Sequence, residues 1–143
     1  TRALDIAVSG GEQDCDIPTW RRMIEMRAVD IIQPDVCYLG GISRTLRVAQ
    51  MAQQAGLPCT PHCANLSLVT LFTAHLLKAI PNAGKYLEYS IEGSDYYPWQ
   101  QGLFDPSPYS IQDGCYIVTD APGWGVNISG DWLDRSVYQI SEQ

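Results

Sequence analysis

Up to Ile91, short unbroken apolar runs alternate with segments whose apolar positions recur every three or four residues. The first pattern is that of a buried strand, the second that of a helix with one face in a core. Leu4-Asp5-Ile6-Ala7-Val8 ends at Gly10-Gly11 and is expected to be a strand. Asp16 is placed to cap a helix, with Pro18 in its first turn and Trp20, Met23 and Ile24 on one face. Val29-Asp30-Ile31-Ile32-Gln33 is the second expected strand, halted by Pro34. After the Gly40-Gly41 turn, Ser43 is the expected cap of a helix that runs through Leu46, Ala49 and Met51 and stops at Gly56. Leu57-Pro58-Cys59-Thr60 has the look of a third, buried strand. Leu66 to Ile80 is expected to be helical, with Leu68, Leu71, Phe72, Leu76 and Leu77 as its apolar face, and Pro81-Asn82-Ala83-Gly84 breaks it. Tyr86-Leu87-Glu88-Tyr89 is the fourth expected strand.

Strands that alternate with helices imply βα units and a parallel sheet, joined by right-handed crossovers. A doubly wound sheet and a piece of a (β/α)8 barrel satisfy that pattern equally well. From Gly93 to Pro108 the texture changes to a loop rich in Gly, Pro, Tyr and Trp. Beyond it, Cys115-Tyr116-Ile117-Val118 reads as a short strand after an Asp113-Gly114 turn, Ala121 to Gly125 as another turn, and Asp131 to Arg135 as a last helical turn.

Composition narrows the function. The 143 residues are 45% hydrophobic and 17% charged, a globular balance. The net charge of -7 argues against a nucleic-acid binder, which needs a basic face. No apolar run approaches the roughly 18 residues of a spanning helix, so no membrane partner is expected. The five cysteines, odd in number and irregular in spacing, fit a reduced, cytoplasmic chain. Cys59, His62 and Cys63 lie close together, but no second Cys/His pair follows to complete a closed zinc site.

The informative polar residues stand where the strands end. Glu12 follows the first, Asp35 the second, His62 the third, and Glu88 lies in the fourth. In parallel βα architectures ligands meet the C-terminal ends of the strands, so these four converge on one mouth. Three carboxylates and an imidazole can move protons and hold a divalent cation. Each also has a plain reading: Glu12 in a solvated loop, Asp35 as a turn former, His62 as a satisfied loop histidine, Glu88 paired with Lys85. It is the four together at equivalent positions that favour chemistry. His75, in mid-helix, is read as structural.

Ile32-Gln33-Pro34-Asp35, Gly40-Gly41-Ile42, Ala55-Gly56 and Pro61-His62, in that order and spacing, resemble the last barrel strands of the enolase superfamily of the mandelate racemase and muconate lactonizing enzyme type. Gly10-Gly11-Glu12-Gln13 resembles that family's fifth-strand metal ligand. Asp113-Gly114 with Pro122-Gly123-Trp124-Gly125-Val126 resembles its C-terminal tail, which returns to a capping domain.

The resemblance implies an α/β fold: the C-terminal half of a (β/α)8-type modified TIM barrel. Residues 1–92 would be its last four βα units, and 93–143 a loop-rich segment packing on barrel or capping domain. It implies Glu12 as a ligand of Mg2+, His62 as general acid/base, and Asp35 as the carboxylate that holds the imidazole. Glu88 would be the acid that hydrogen-bonds the substrate carboxylate or enediolate. The implied activity is removal of the proton α to a carboxylate, with loss of water from an acid sugar to give a 2-keto-3-deoxy acid. Racemisation or epimerisation is the alternative on the same scaffold, and a non-catalytic binding or assembly module the alternative outside catalysis. The family's other metal ligands and its second-strand lysine have no counterpart here. The chain is therefore expected to be a fragment or one chain of a split protein, inactive alone, lacking an N-terminal half-barrel and capping domain. Its partners are a small carboxylate substrate and, by analogy, further copies in a homo-oligomer. Tyr96-Tyr97-Pro98-Trp99 is read as ordinary packing rather than a subunit contact.

Overall fold

The computed structural model describes residues 3–141. They fall into two compact units, Thr1–Ile91 and Glu92–Gln143.

In the first unit, β1 (Ser9–Gly10) is followed by α1 (Ile17–Met26), β2 (Ile31–Ile32), α2 (Ile42–Gln54) and α3 (Leu68–Ala79). β1 and β2 pair in parallel, Ser9 opposite Ile31 and Gly10 opposite Ile32. The ladder continues as single parallel bridges from Ile32 to Cys59 and from Cys59 to Ala83. Strands adjacent in sequence are thus adjacent in space, the order that right-handed βα units build.

The strands are shorter than the apolar runs suggest. Leu4 and Ile6 are 56% and 72% exposed, and the ladder begins only at Ser9. Tyr86 to Tyr89 forms no strand; the chain makes its bridge earlier, at Ala83, where Cys59 N–H donates to the Asn82 carbonyl and Gly84 N–H to the Cys59 carbonyl. Gly84 is required there, because a Cβ would run into the Thr60 side chain.

The helices follow local chemistry closely. Asp16 caps α1, its Oδ1 accepting from Thr19 N–H at 2.8 Å, with Pro18 in the first turn. Helix α2 departs from expectation at its start: Gly41, not Ser43, stands at the cap, with φ 116. It stops as expected at Gly56, whose φ of 69 closes a double turn: Gly56 N–H donates to Gln53 O and Leu57 N–H to Ala52 O. Ser67 caps α3 by accepting from Val69 N–H. On α3, Thr70, Thr73 and Ala74 are buried along with Leu71 and Leu76, whereas Leu68, Phe72 and Leu77 are only half-buried. The core joins Trp20 and Ile24 of α1, Ile32 of β2, Leu39, Val48 and Ala52 of α2, and Leu57.

The second unit is loop-rich. A 3-10 turn at Pro98–Gln100 precedes the antiparallel pair β3 (Ile111–Gln112) and β4 (Cys115–Tyr116), and α4 (Gly130–Arg135) follows. Asp113 and Gly114, both at positive φ, make the connecting turn. Phe104 is buried and meets Tyr109 edge-on, with ring centroids 5.9 Å apart. No helix among the described residues is long and apolar enough to cross a membrane.

Candidate functional site

Glu12 leaves β1 on a loop pinned from below by Trp20. Gly11, at φ 104, lies against the indole, and a Cβ there would collide with the ring. Trp20, fully buried, donates from Nε1 to the Asp14 carbonyl at 2.9 Å, while Asp14 N–H donates to the Gly11 carbonyl at 3.0 Å. Arg44 of α2 donates to the Cys15 carbonyl. One core side chain and one helix-borne cation therefore set the course of the loop that carries Glu12.

Asp35 and His62 are brought together by the sheet itself, as partners across a parallel bridge just past β2. His62 N–H donates to the Pro34 carbonyl, and Thr73 donates to the His62 carbonyl at 3.3 Å. Asp35 is 4% exposed and His62 8%. The Asp35 carboxylate divides its work. Oδ1 accepts from Cys37 N–H at 2.6 Å and Tyr38 N–H at 3.0 Å. Oδ2 lies 2.8 Å from His62 Nδ1. An acceptor-only carboxylate makes Nδ1 the donor, which leaves Nε2 of the neutral ring with its lone pair.

Nε2 faces the two other carboxylates. Glu12 Oε2 is 3.3 Å away and Glu88 Oε2 is 3.5 Å away. Their side chains are 48% and 46% exposed, against 11% for the imidazole. All four residues singled out in the sequence thus meet at one point: a buried dyad at the back and two half-exposed acids at the front. The arrangement can hold a proton on an oriented nitrogen beside oxygens suited to a cation or a hydrogen-bonding substrate. Among the described residues, no group of three or more His, Cys, Asp or Glu is placed to hold a metal ion.

Burial pushes the thiols of Cys59 and Cys63 up to about 12. Sequence reasoning overlooked a layer behind His62. Cys63 Sγ donates to the Glu88 carbonyl at 3.0 Å, and Thr70 Oγ1 donates to the Asn65 carbonyl. The available signal was Thr70 and Thr73 on an otherwise apolar helix face, since a buried hydroxyl needs a partner.

Known proteins resemble this chain in sequence and fold. A crystal structure from Roseobacter denitrificans, provisionally described as a racemase, is 75% identical with a TM-score of 0.94 and spans 99% of this chain. L-talarate dehydratase from Polaromonas sp. JS666, solved with Mg and L-glucarate, is 29% identical over 92% of the chain, with a TM-score of 0.69. D-xylonate dehydratase of Haloferax volcanii is 32% identical over 121 residues, 83% of the chain. The chain spans 39%, 33% and 28% of these three proteins, respectively. The family model described as enolase C-terminal domain-like matches residues 1–132, and with its mixed α/β fold the chain belongs to that family, of the mandelate racemase and muconate lactonizing enzyme type.

Proposed function

We propose that this chain is the C-terminal half of a (β/α)8 barrel in an acid-sugar dehydratase. Residues 1–92 would be the last four βα units, and 93–143 a tail that returns toward a capping domain. One observation carries the reading: a buried, carboxylate-oriented imidazole at the end of a parallel ladder, whose outer nitrogen faces Glu12 and Glu88. The named dehydratases among its relatives support the class of reaction.

His62 is the general acid/base. Asp35 holds its ring with Nε2 outward and stabilises the imidazolium once Nε2 takes the proton α to the substrate carboxylate. With a β-hydroxyl on the substrate, the same imidazolium can return that proton to the departing oxygen. Water is lost and a 2-keto acid remains. Glu88 Oε2, 3.5 Å from Nε2, is within reach of the oxygen on which charge develops and donates to it when protonated.

Mg2+ is the cofactor this reading calls for. The donor set fits in kind, because Glu12 offers a half-exposed carboxylate at the mouth and hard oxygens suit this ion. It does not fit in number, since the described residues hold no three-ligand group. Glu12 would be one ligand, with the others on parts of the protein outside this chain. When bound, the ion supplies positive charge to a substrate carboxylate whose α-proton is otherwise only weakly acidic. The isolated chain, with one ligand, is expected to show no turnover.

The test is the whole protein, assayed on a panel of aldonic and aldaric acids for 2-keto products. Formation of one supports dehydration, and silence across the panel defeats it. The relative provisionally described as a racemase favours a second reading, racemisation or epimerisation. Uptake of solvent deuterium at the α-carbon without loss of water would select it.

A further inference from the structure

Glu88 has no strand to hold it. The ladder ends at Ala83, and Tyr86 to Tyr89 forms no strand. Its carboxylate nonetheless sits 3.5 Å from His62 Nε2. The hydrogen bond from Cys63 Sγ to the Glu88 carbonyl ties this segment to the residue next to the catalytic imidazole. Cys63 is 1% exposed. The loop it stands on is itself held from α3, by Thr73 at the His62 carbonyl and Thr70 at the Asn65 carbonyl. Both threonines are buried, Thr73 at 0% and Thr70 at 1% exposure.

We infer that Cys63 is a positioning residue: its thiol, backed by Thr70 and Thr73, sets the placement of Glu88 beside His62. The inference rests on the proposed function for its catalytic meaning, though not for its geometry. A thiol serves here because it stays a donor. Burial above all keeps it protonated up to about 12, whereas a thiolate would repel the carbonyl it faces. Its bond to the Glu88 carbonyl reaches from the His62 loop to the Glu88 backbone, so the imidazole and the acid share one frame. Placement matters on this scale, since about 1 Å of displacement at a reacting centre can lower turnover on the order of 100-fold.

The experiment uses the full-length protein with Cys63→Val, Cys63→Ala and Cys63→Ser. Valine fills the space without donating, alanine does neither, and serine donates. Amide hydrogen exchange over residues 85–91 is expected to quicken about tenfold in the valine and alanine variants, with α2 unchanged. On an acid-sugar substrate, kcat is expected to fall about tenfold, with a smaller change in KM, and serine is expected to restore most of it. If valine and alanine lower the melting temperature but leave both that exchange and the kcat of the folded protein at wild-type values, Cys63 only fills space and the inference fails. Wild-type protein without turnover on any acid sugar would sink the functional reading instead. The exchange result would still decide what places Glu88.

Discussion

Among the described residues, every buried apolar side chain except Phe104 lies in the unit that ends at Ile91. There, Trp20 disappears completely beneath Gly11, and the four site residues hang from ladder positions and short loops over that core. In the unit that begins at Glu92, Tyr96, Tyr97 and Trp99 meet through ring edges, and Arg135 lies over the Trp132 ring at 4.7 Å on an exposed helical turn. One unit is held by a buried core; the other, with Phe104 as its one buried apolar side chain among the described residues, is held by turns, ring contacts and the backbone pairing of residues 103–105 with 127–129. The proposed site sits on the first, where a buried core can give it rigid support.

The sharpest way to break this contrast is at His62. His62→Asn in the full-length protein is expected to reduce kcat by about 10²–10⁴-fold, with little change in the denaturation midpoint. The reverse pattern would make His62 a structural residue and leave the first unit a scaffold without chemistry. Next in size is a pair of matched truncations, followed by urea denaturation. Trp20→Ala is expected to destabilise its unit by about 3–5 kcal/mol, as for a fully buried indole. Trp132→Ala, half-exposed, is expected to stay within about 1 kcal/mol. Equal losses would erase the distinction between the units.

Gly11→Ala tests whether the core steers the site. The new Cβ meets the Trp20 ring, and the backbone stands at φ 104. A loss of about 1–3 kcal/mol is expected, together with a fall in activity as the Glu12 loop is displaced. Stability loss with activity intact would separate the loop from the core. The smallest effect is expected at Asp16. Hydrogen bonds from Thr19 backbone and side chain hold its carboxyl below the usual 3.8. A depressed value in the folded state stabilises above the unfolded value and is lost as pH falls through the folded one. Asp16→Ala should therefore lower the melting temperature slightly at neutral pH and flatten its decline in acid. The same slope in both proteins would show that the cap carries no charge-dependent part.

Much of the first unit was legible because helix signals are local. Asp16 with Pro18 and Gly56 act within a turn of their own positions, and α3 (Leu68–Ala79) lies inside the expected Leu66 to Ile80. Ser43 misled because a serine two positions late looks like a cap, while Gly41 could adopt the φ that the start of the helix demands. The strands were less legible. An apolar run such as Leu4 to Val8 says only that burial would be favourable, and a ladder exists only where a neighbour's backbone arrives. Along the fourth run, the neighbour meets Ala83 rather than Leu87.

The sequence by itself determined the alternation of helix and extended chain, the Asp16 cap, the stop at Gly56 and the types of chemical group at the mouth, because each depends on residues a few positions apart. Tertiary structure alone decided that Asp35 and His62, separated by 27 positions, would share a hydrogen bond of 2.8 Å. It likewise brought Glu12 and Glu88 to the other nitrogen and the Cys63 thiol to the Glu88 carbonyl. Those distances follow from parallel register and from what the buried face of α3 holds in place, and neither is written in any local run of residues.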